Sequence, residues 1–236
     1  IGMAMVAERL SFKEMQEIVR RFGFGTRTNV GIPGESPGIV TSAKQWKKYT
    51  QSSVSMGHEI AVTPVQMVRA FSAFCRDGSM VELRMTADKL DPRDAAANNA
   101  ESAANGAVGP VIPDKIVRIA REAMKGVMEE GTGRQAQSDR YQLFGKSGTA
   151  QLTKRGGRGY WDDRYVASFI AGAPYSDPRI IVLCVIDDPD KRKGHFGGAI
   201  AGPPVRDVVE QTLNYLGVAP DKEPQTPKTD MVARAD

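Results

Sequence analysis

Cysteine and histidine are almost missing from this chain. Cys75 and Cys184 lie far apart, each inside an apolar pattern, and His58 and His195 sit in polar, loop-like stretches. Neither type shows the paired spacing of a metal site, so no metal and no cofactor is expected. Long apolar runs are missing too. The longest is Ile180 to Ile186, far short of the roughly 20 residues that a membrane-crossing helix needs. No secretory leader is visible, yet the chain opens on Ile1-Gly2-Met3, already inside an apolar helical pattern. The expectation is that further sequence lies upstream. Basic residues exceed acidic ones only slightly, giving +4 and a pI near 9.1. They form no block with interleaved aromatics, which argues against a nucleic-acid partner.

What is present is an ordinary globular composition, 41% hydrophobic and 25% charged over 236 residues, enough for one sizeable domain. Its most informative stretch is Gly145-Lys146-Ser147-Gly148-Thr149-Ala150-Gln151. On an extended backbone residues i and i+2 share a face, so Ser147 and Thr149 present their hydroxyls side by side. Gly148 between them lets another backbone approach closely, and Lys146 adds a fixed cation with three donors. These features suit a carboxylate at the end of an extended peptide, held by charge-assisted hydrogen bonds and strand addition. A plain polar turn is the alternative for these four residues alone. A phosphate-binding loop is excluded, because the glycine it needs is replaced by Arg140 and no helix follows. The dinucleotide-like string Gly131-Thr132-Gly133-Arg134-Gln135-Ala136 follows a helix where it should follow a strand.

Along the chain, Ile1 to Leu10 reads as a buried, small-residue helix. Ser11 and Glu14 form a capping box for a helix carrying Phe12, Met15, Ile18, Val19 and Phe22. Gly23 to Lys44 is a long Gly/Pro loop, of the kind that is functional or tightly packed. Gln51 to Ala61 reads as a polar passage. Thr63, Pro64 and Gln66 then start a core helix with Val65, Val68, Phe71 and Phe74 inward. Residues 81 to 112 read as a variable loop or insertion, rich in Asp, Asn and Ala. From Pro113 to Glu130 helical periodicity returns through Ile116, Val117, Ile119, Ala120, Ala123, Met124 and Val127. Strands are expected at Tyr141 to Phe144, Lys146 to Thr153, Tyr165 to Gly172 and Arg179 to Ile186. The last two are joined through Ala173 to Pro178 as a hairpin. A final helix after Pro203-Pro204 carries Val205, Val208, Val209, Thr212, Leu213 and Leu216, and 219–236 reads as a disordered tail. Helices first and antiparallel strands later predict an α+β fold, a sheet covered by helices on both faces. Residues 1–218 form that domain, with 1–80 mainly helical and 113–218 carrying the strands and the final helix.

Several strings in this order resemble the C-terminal part of a penicillin-binding protein transpeptidase domain of the monofunctional (class B) type. Lys146-Ser147-Gly148-Thr149 resembles its Lys-Thr/Ser-Gly signature. Phe22-Gly23-Phe24-Gly25, Pro33-Gly34-Glu35, Val62-Thr63-Pro64-Val65-Gln66, Gly131-Thr132-Gly133 and Gly197-Gly198 match family strings on either side of it. The family's nucleophile motif Ser-x-x-Lys and its second motif Ser-x-Asn do not occur in these 236 residues. The resemblance implies a serine β-lactamase-like fold and acyl transfer through an upstream serine ester. It implies Lys146 and Thr149 as catalytic residues. Lys146 would complete the cationic wall at the second-motif serine, and the Thr149 N–H would serve the oxyanion. Ser147, Gly148, Thr149 and Gln151 would bind substrate. The implied partners are peptidoglycan stem peptides, β-lactams, the upstream part carrying the two missing motifs, a glycosyltransferase, and division or elongation proteins. The opening helix resembles the division branch more than the elongation branch. The implied location is the outer face of the cytoplasmic membrane, reached through an upstream anchor. A β-lactamase, a D,D-carboxypeptidase and a non-catalytic penicillin-recognising sensor are the alternatives.

Overall fold

Alternation in the strands dictates the layering. In Ile180–Asp187 (β5), Ile180, Val182, Cys184 and Ile186 pack to one side, Ile181 and Leu183 to the other. Successive strand side chains point to opposite faces, so a strand apolar from Ile180 to Ile186 needs cover on both,. In the computed structural model, which describes residues 2–47, 49–85, 110–154, 156 and 159–222, it has that cover. Phe144–Thr153 (β3), Tyr160–Ala173 (β4) and β5 form an antiparallel sheet in the order β3-β4-β5. On one face, the helix Gly202–Tyr215 buries Val205, Val209 and Leu213 against Phe169, Ala171 and Ala173. On the other, Phe71 of helix Pro64–Cys75 (α4) meets Phe144 and Ile170, with Met124 of helix Asp114–Glu129 (α5) beside them. Each fully buried Val, Leu or Phe side chain contributes about 1.5–3 kcal/mol. The α+β expectation holds.

Local signals acted as their chemistry requires. Thr63 Oγ1 accepts from the Gln66 N–H, Gln66 Oε1 accepts from the Thr63 N–H, and Pro64 starts α4. Gln66 also reaches outward: its Nε2 donates to the carbonyls of Thr26 at 2.7 Å and Pro37 at 2.9 Å. The long Gly/Pro loop is thereby tied to the core helix. It carries the short strand Ile39–Val40 (β1), which pairs with Ile60–Ala61 (β2). The Ser11–Glu14 box likewise starts Phe12–Arg21 (α2).

Other expectations need correction. The first helix, Gly2–Ala7 (α1), is not buried: only Ala7 is, and Met3 and Met5 are 61% exposed. The polar passage after Gln51 contains a helix, Thr50–Ser55 (α3), which hydrophobic periodicity did not signal. Its anchor is polar: the buried Gln51 amide donates to the carbonyls of Ala7 and Leu10. On α5, Val117 and Met128 are buried while Ile116 and Ile119 lie in solvent, so only half of the apolar pattern faces the sheet. Val208 and Leu216 of the last helix are exposed for the same reason. Strand β4 starts at Tyr160, five residues before the alternation becomes apolar, because Thr153 pairs with Tyr160 across a register shift. Asp221 and Lys222, inside the stretch read as a tail, bond to the domain: Asp221 Oδ1 accepts from the Gln142 N–H and Lys222 Nζ donates to Ser138 O. The insertion read around residue 100 and the rest of the tail fall outside the described residues.

Candidate active site

Strand β3 lies at the sheet edge, paired on one side by β4. In its register Lys146 faces Ile170, Ser147 faces Phe169, Gly148 faces Ser168, Thr149 faces Ala167 and Gln151 faces Tyr165. The period of two divides the motif. Ser147 and Thr149 open on a cleft of about 630 Å³ together with Thr132, Phe196 and Gly197. Lys146 belongs to the opposite face, the one shared with Phe144, and its exposed ammonium donates to Ser147 O at 2.7 Å. Gln151 continues the Ser147 face, half-buried, short of the cleft wall.

The hydroxyls are held by partners from distant chain segments. Thr132 Oγ1 lies 2.7 Å from Ser147 Oγ, and Thr149 Oγ1 accepts from the Gly197 N–H at 3.1 Å. A hydroxyl has one proton and two acceptor sites. Having accepted from Gly197, Thr149 keeps its own proton for the cleft. The Thr132–Ser147 pair uses one of its two protons internally, leaving a second free donor. The cleft therefore presents two O–H donors to an anion or carbonyl oxygen. Its floor admits no bulk: a Cβ at Gly197 would meet the backbone oxygens of Ser168 and Gly148, and one at Gly198 the carbonyl of Thr132. These glycines, in the short helix Gly197–Ile200, allow the chain to press against both strands.

Both histidines pack on aromatic rings. His195 stacks on Tyr165 at 4.2 Å, and Phe196, 63% exposed at the cleft rim, tilts against His195 at 4.3 Å. His58 meets Tyr160 edge-on. Neither cysteine offers a thiolate. Burial pushes the Cys75 thiol up to about 12 against the opposing charge of Arg121, and burial raises Cys184 as well,.

The strand expected at Lys146 to Thr153 is present, and Ser147 and Thr149 share one side of it, as the period of two requires. Sequence reasoning gave no site role to Thr132, Phe196 or Gly197. The signal was present as the strings Gly131-Thr132-Gly133 and Gly197-Gly198, but their convergence on β3 is a tertiary fact.

The family profile described as the penicillin binding protein transpeptidase domain matches residues 1–210, and the chain belongs to that family. It is 33% identical over 228 residues to "Probable peptidoglycan D,D-transpeptidase PbpC" of Pseudomonas aeruginosa, covering 96% of this chain and 37% of that protein. Stage V sporulation protein D of Bacillus subtilis is also 33% identical, over 221 residues, covering 94% of this chain and 33% of the relative. Among solved structures, the transpeptidase domain of Burkholderia pseudomallei penicillin-binding protein 3 superposes with a TM-score of 0.79. It shares 31% identity, over 94% of this chain and 63% of that one. The chain thus spans about a third of the length of the curated relatives it matches.

Proposed function

We propose that the complete protein is a serine-type peptidoglycan D,D-transpeptidase and that this chain supplies its substrate-binding strand. The observation that carries the reading is the pair of hydroxyls, Ser147 and Thr149, on one cleft of an edge strand. An extended D-Ala-D-Ala terminus lies along β3 by strand addition, and its carboxylate accepts from the two hydroxyl protons. Gly148 leaves room for the peptide backbone beside it, and Gln151 flanks the strand beyond Thr149. The serine of the Ser-x-x-Lys motif attacks the penultimate D-alanine carbonyl. The oxyanion that forms accepts from the Thr149 N–H, and the C–N bond breaks as D-alanine leaves with the proton. Lys146, on the other face of the strand, stands beside the serine of the second motif. An amine of another stem peptide then attacks the ester, releasing the serine and forming the cross-link. β-Lactams acylate the same serine.

The protein acts outside the cytoplasmic membrane, with a glycosyltransferase and the division apparatus as partners. The experiment is covalent labelling of the complete protein with a fluorescent penicillin, followed by mapping of the labelled peptide. Label on the serine of a Ser-x-x-Lys motif is expected. Label within these 236 residues would overturn the assignment of roles.

A further inference from the structure

Three consecutive residues of β4 hold the loop 188–196, which runs from the end of β5 to the rim of the cleft. Asp163 forms an ion pair with Lys191. Arg164 pairs with Asp188 at 2.6 Å, and its Nε donates to the same carboxylate oxygen at 2.9 Å. Tyr165 carries the stacked His195, and its carbonyl accepts from the Asp188 N–H at 2.9 Å. The Tyr165 ring is itself fixed, its hydroxyl donating to Asp162 O at 3.0 Å. The loop therefore meets β4 at its start, in its middle and near its end.

Each contact has a local reason. Asp188 turns the chain out of β5 at φ +48°, a left-handed conformation that aspartate tolerates better than most residues. That turn aims its carboxylate at Arg164. In the middle of the loop Asp190 accepts from the Arg192 N–H at 3.0 Å and pairs with its guanidinium. This occupies Arg192 within the loop, while the neighbouring Lys191 reaches β4. At the far end Phe196 tilts on His195 at the cleft rim, and the Gly197 N–H donates to Thr149 Oγ1. None of the four paired side chains lines the cleft.

We propose that Asp163 and Arg164 are positioning residues for the cleft: their pairs with Lys191 and Asp188 keep Phe196 and the Gly197 N–H on the wall beside Thr149. This rests on reading the cleft as the ligand-binding site. Exposed ion pairs contribute little to global stability. A loop, however, opens locally without the domain unfolding, so two pairs on one loop are enough to set its position. Salt screens them.

The test is saturation kinetics of acylation of the complete protein by benzylpenicillin, at low and high salt. R164Q, D188N, D163N and K191Q should each raise the half-saturating concentration about threefold, the scale of an exposed ion pair. The limiting acylation rate and the melting temperature should stay unchanged. Within each pair the double variant should lose no more than its singles, because both remove one interaction. The doubles R164Q/D188N and D163N/K191Q keep the net charge of the wild type, so a flattened salt dependence comes from the loop and not from attraction of the ligand. The charge swap D163K/K191D should recover most of the loss. Wild-type half-saturation in D188N, which keeps the shape of aspartate and its tolerance of positive φ, overturns the inference. So do additive losses within a pair, or a swap that melts normally and recovers nothing. Each of these results leaves the transpeptidase reading standing. A wild-type protein that takes up no penicillin overturns both.

Discussion

Thr132 Oγ1 and Ser147 Oγ lie 2.7 Å apart, joining the turn after α5 to the edge strand at the cleft. Removing the Thr132 hydroxyl frees the Ser147 hydroxyl to rotate away from the orientation proposed for ligand binding. T132V is expected to slow penicillin acylation of the complete protein several-fold. The bond is exposed, so its loss should cost no more than about 1 kcal/mol of stability. Acylation kinetics and thermal melting, measured together, check this: an unchanged rate would remove Thr132 from the site.

Gly197 and Gly148 give a paired prediction. A methyl group at Gly197 would meet two backbone oxygens, which cannot yield without moving both strands. G197A should cost about 1–3 kcal/mol, the usual range for overpacking. A methyl at Gly148 would meet Ser168 Oγ at 2.5 Å, the movable end of a side chain. G148A should therefore melt close to wild type. Equal melting temperatures for the two variants would contradict the packing described.

Lys146 is exposed and bonded only to a neighbouring carbonyl among the described residues, so its replacement should leave stability intact. K146A is expected to abolish nearly all acylation by penicillin while the melting curve stays put. Wild-type acylation by K146A would remove the catalytic role proposed for it.

Glu35 makes the Gly/Pro loop sensitive to acid. Burial raises its pKa, but hydrogen bonds from the Thr28 hydroxyl and from the Thr28 and Asn29 N–H groups outweigh that and hold it below the ordinary carboxylate range. A carboxyl whose pKa is depressed by folding contributes stability above its unfolded value of about 4.3. That contribution is lost as pH falls through the folded value. Stability of the wild type should therefore drop below about pH 4.5, more steeply than that of E35Q. Parallel pH–stability curves for the two proteins would rule the effect out.

Much of the fold was legible because its signals are local. Ser11 with Glu14 and Thr63 with Gln66 are three residues apart, and each pair closes its own capping box wherever the helix ends up. The all-apolar β5 requires cover on two faces, and the Pro174–Pro178 turn requires a hairpin, whatever lies around them. The shared face of Ser147 and Thr149 follows from the period of two. Signals without periodicity were lost: α3 is held by the Gln51 amide, a contact 44 residues away in sequence.

By itself the sequence determined most of the element types, the hairpin and the two hydroxyls on one side of a strand, since each depends on torsions and hydrogen bonds within a few residues. Only the tertiary structure decided which half of the α5 apolar pattern is covered and which groups complete the cleft. Thr132 and Gly197 reach Ser147 and Thr149 because the turn after α5 and the short helix before the last one both pack against β3. That packing depends on the volumes of both partners, which no local pattern encodes.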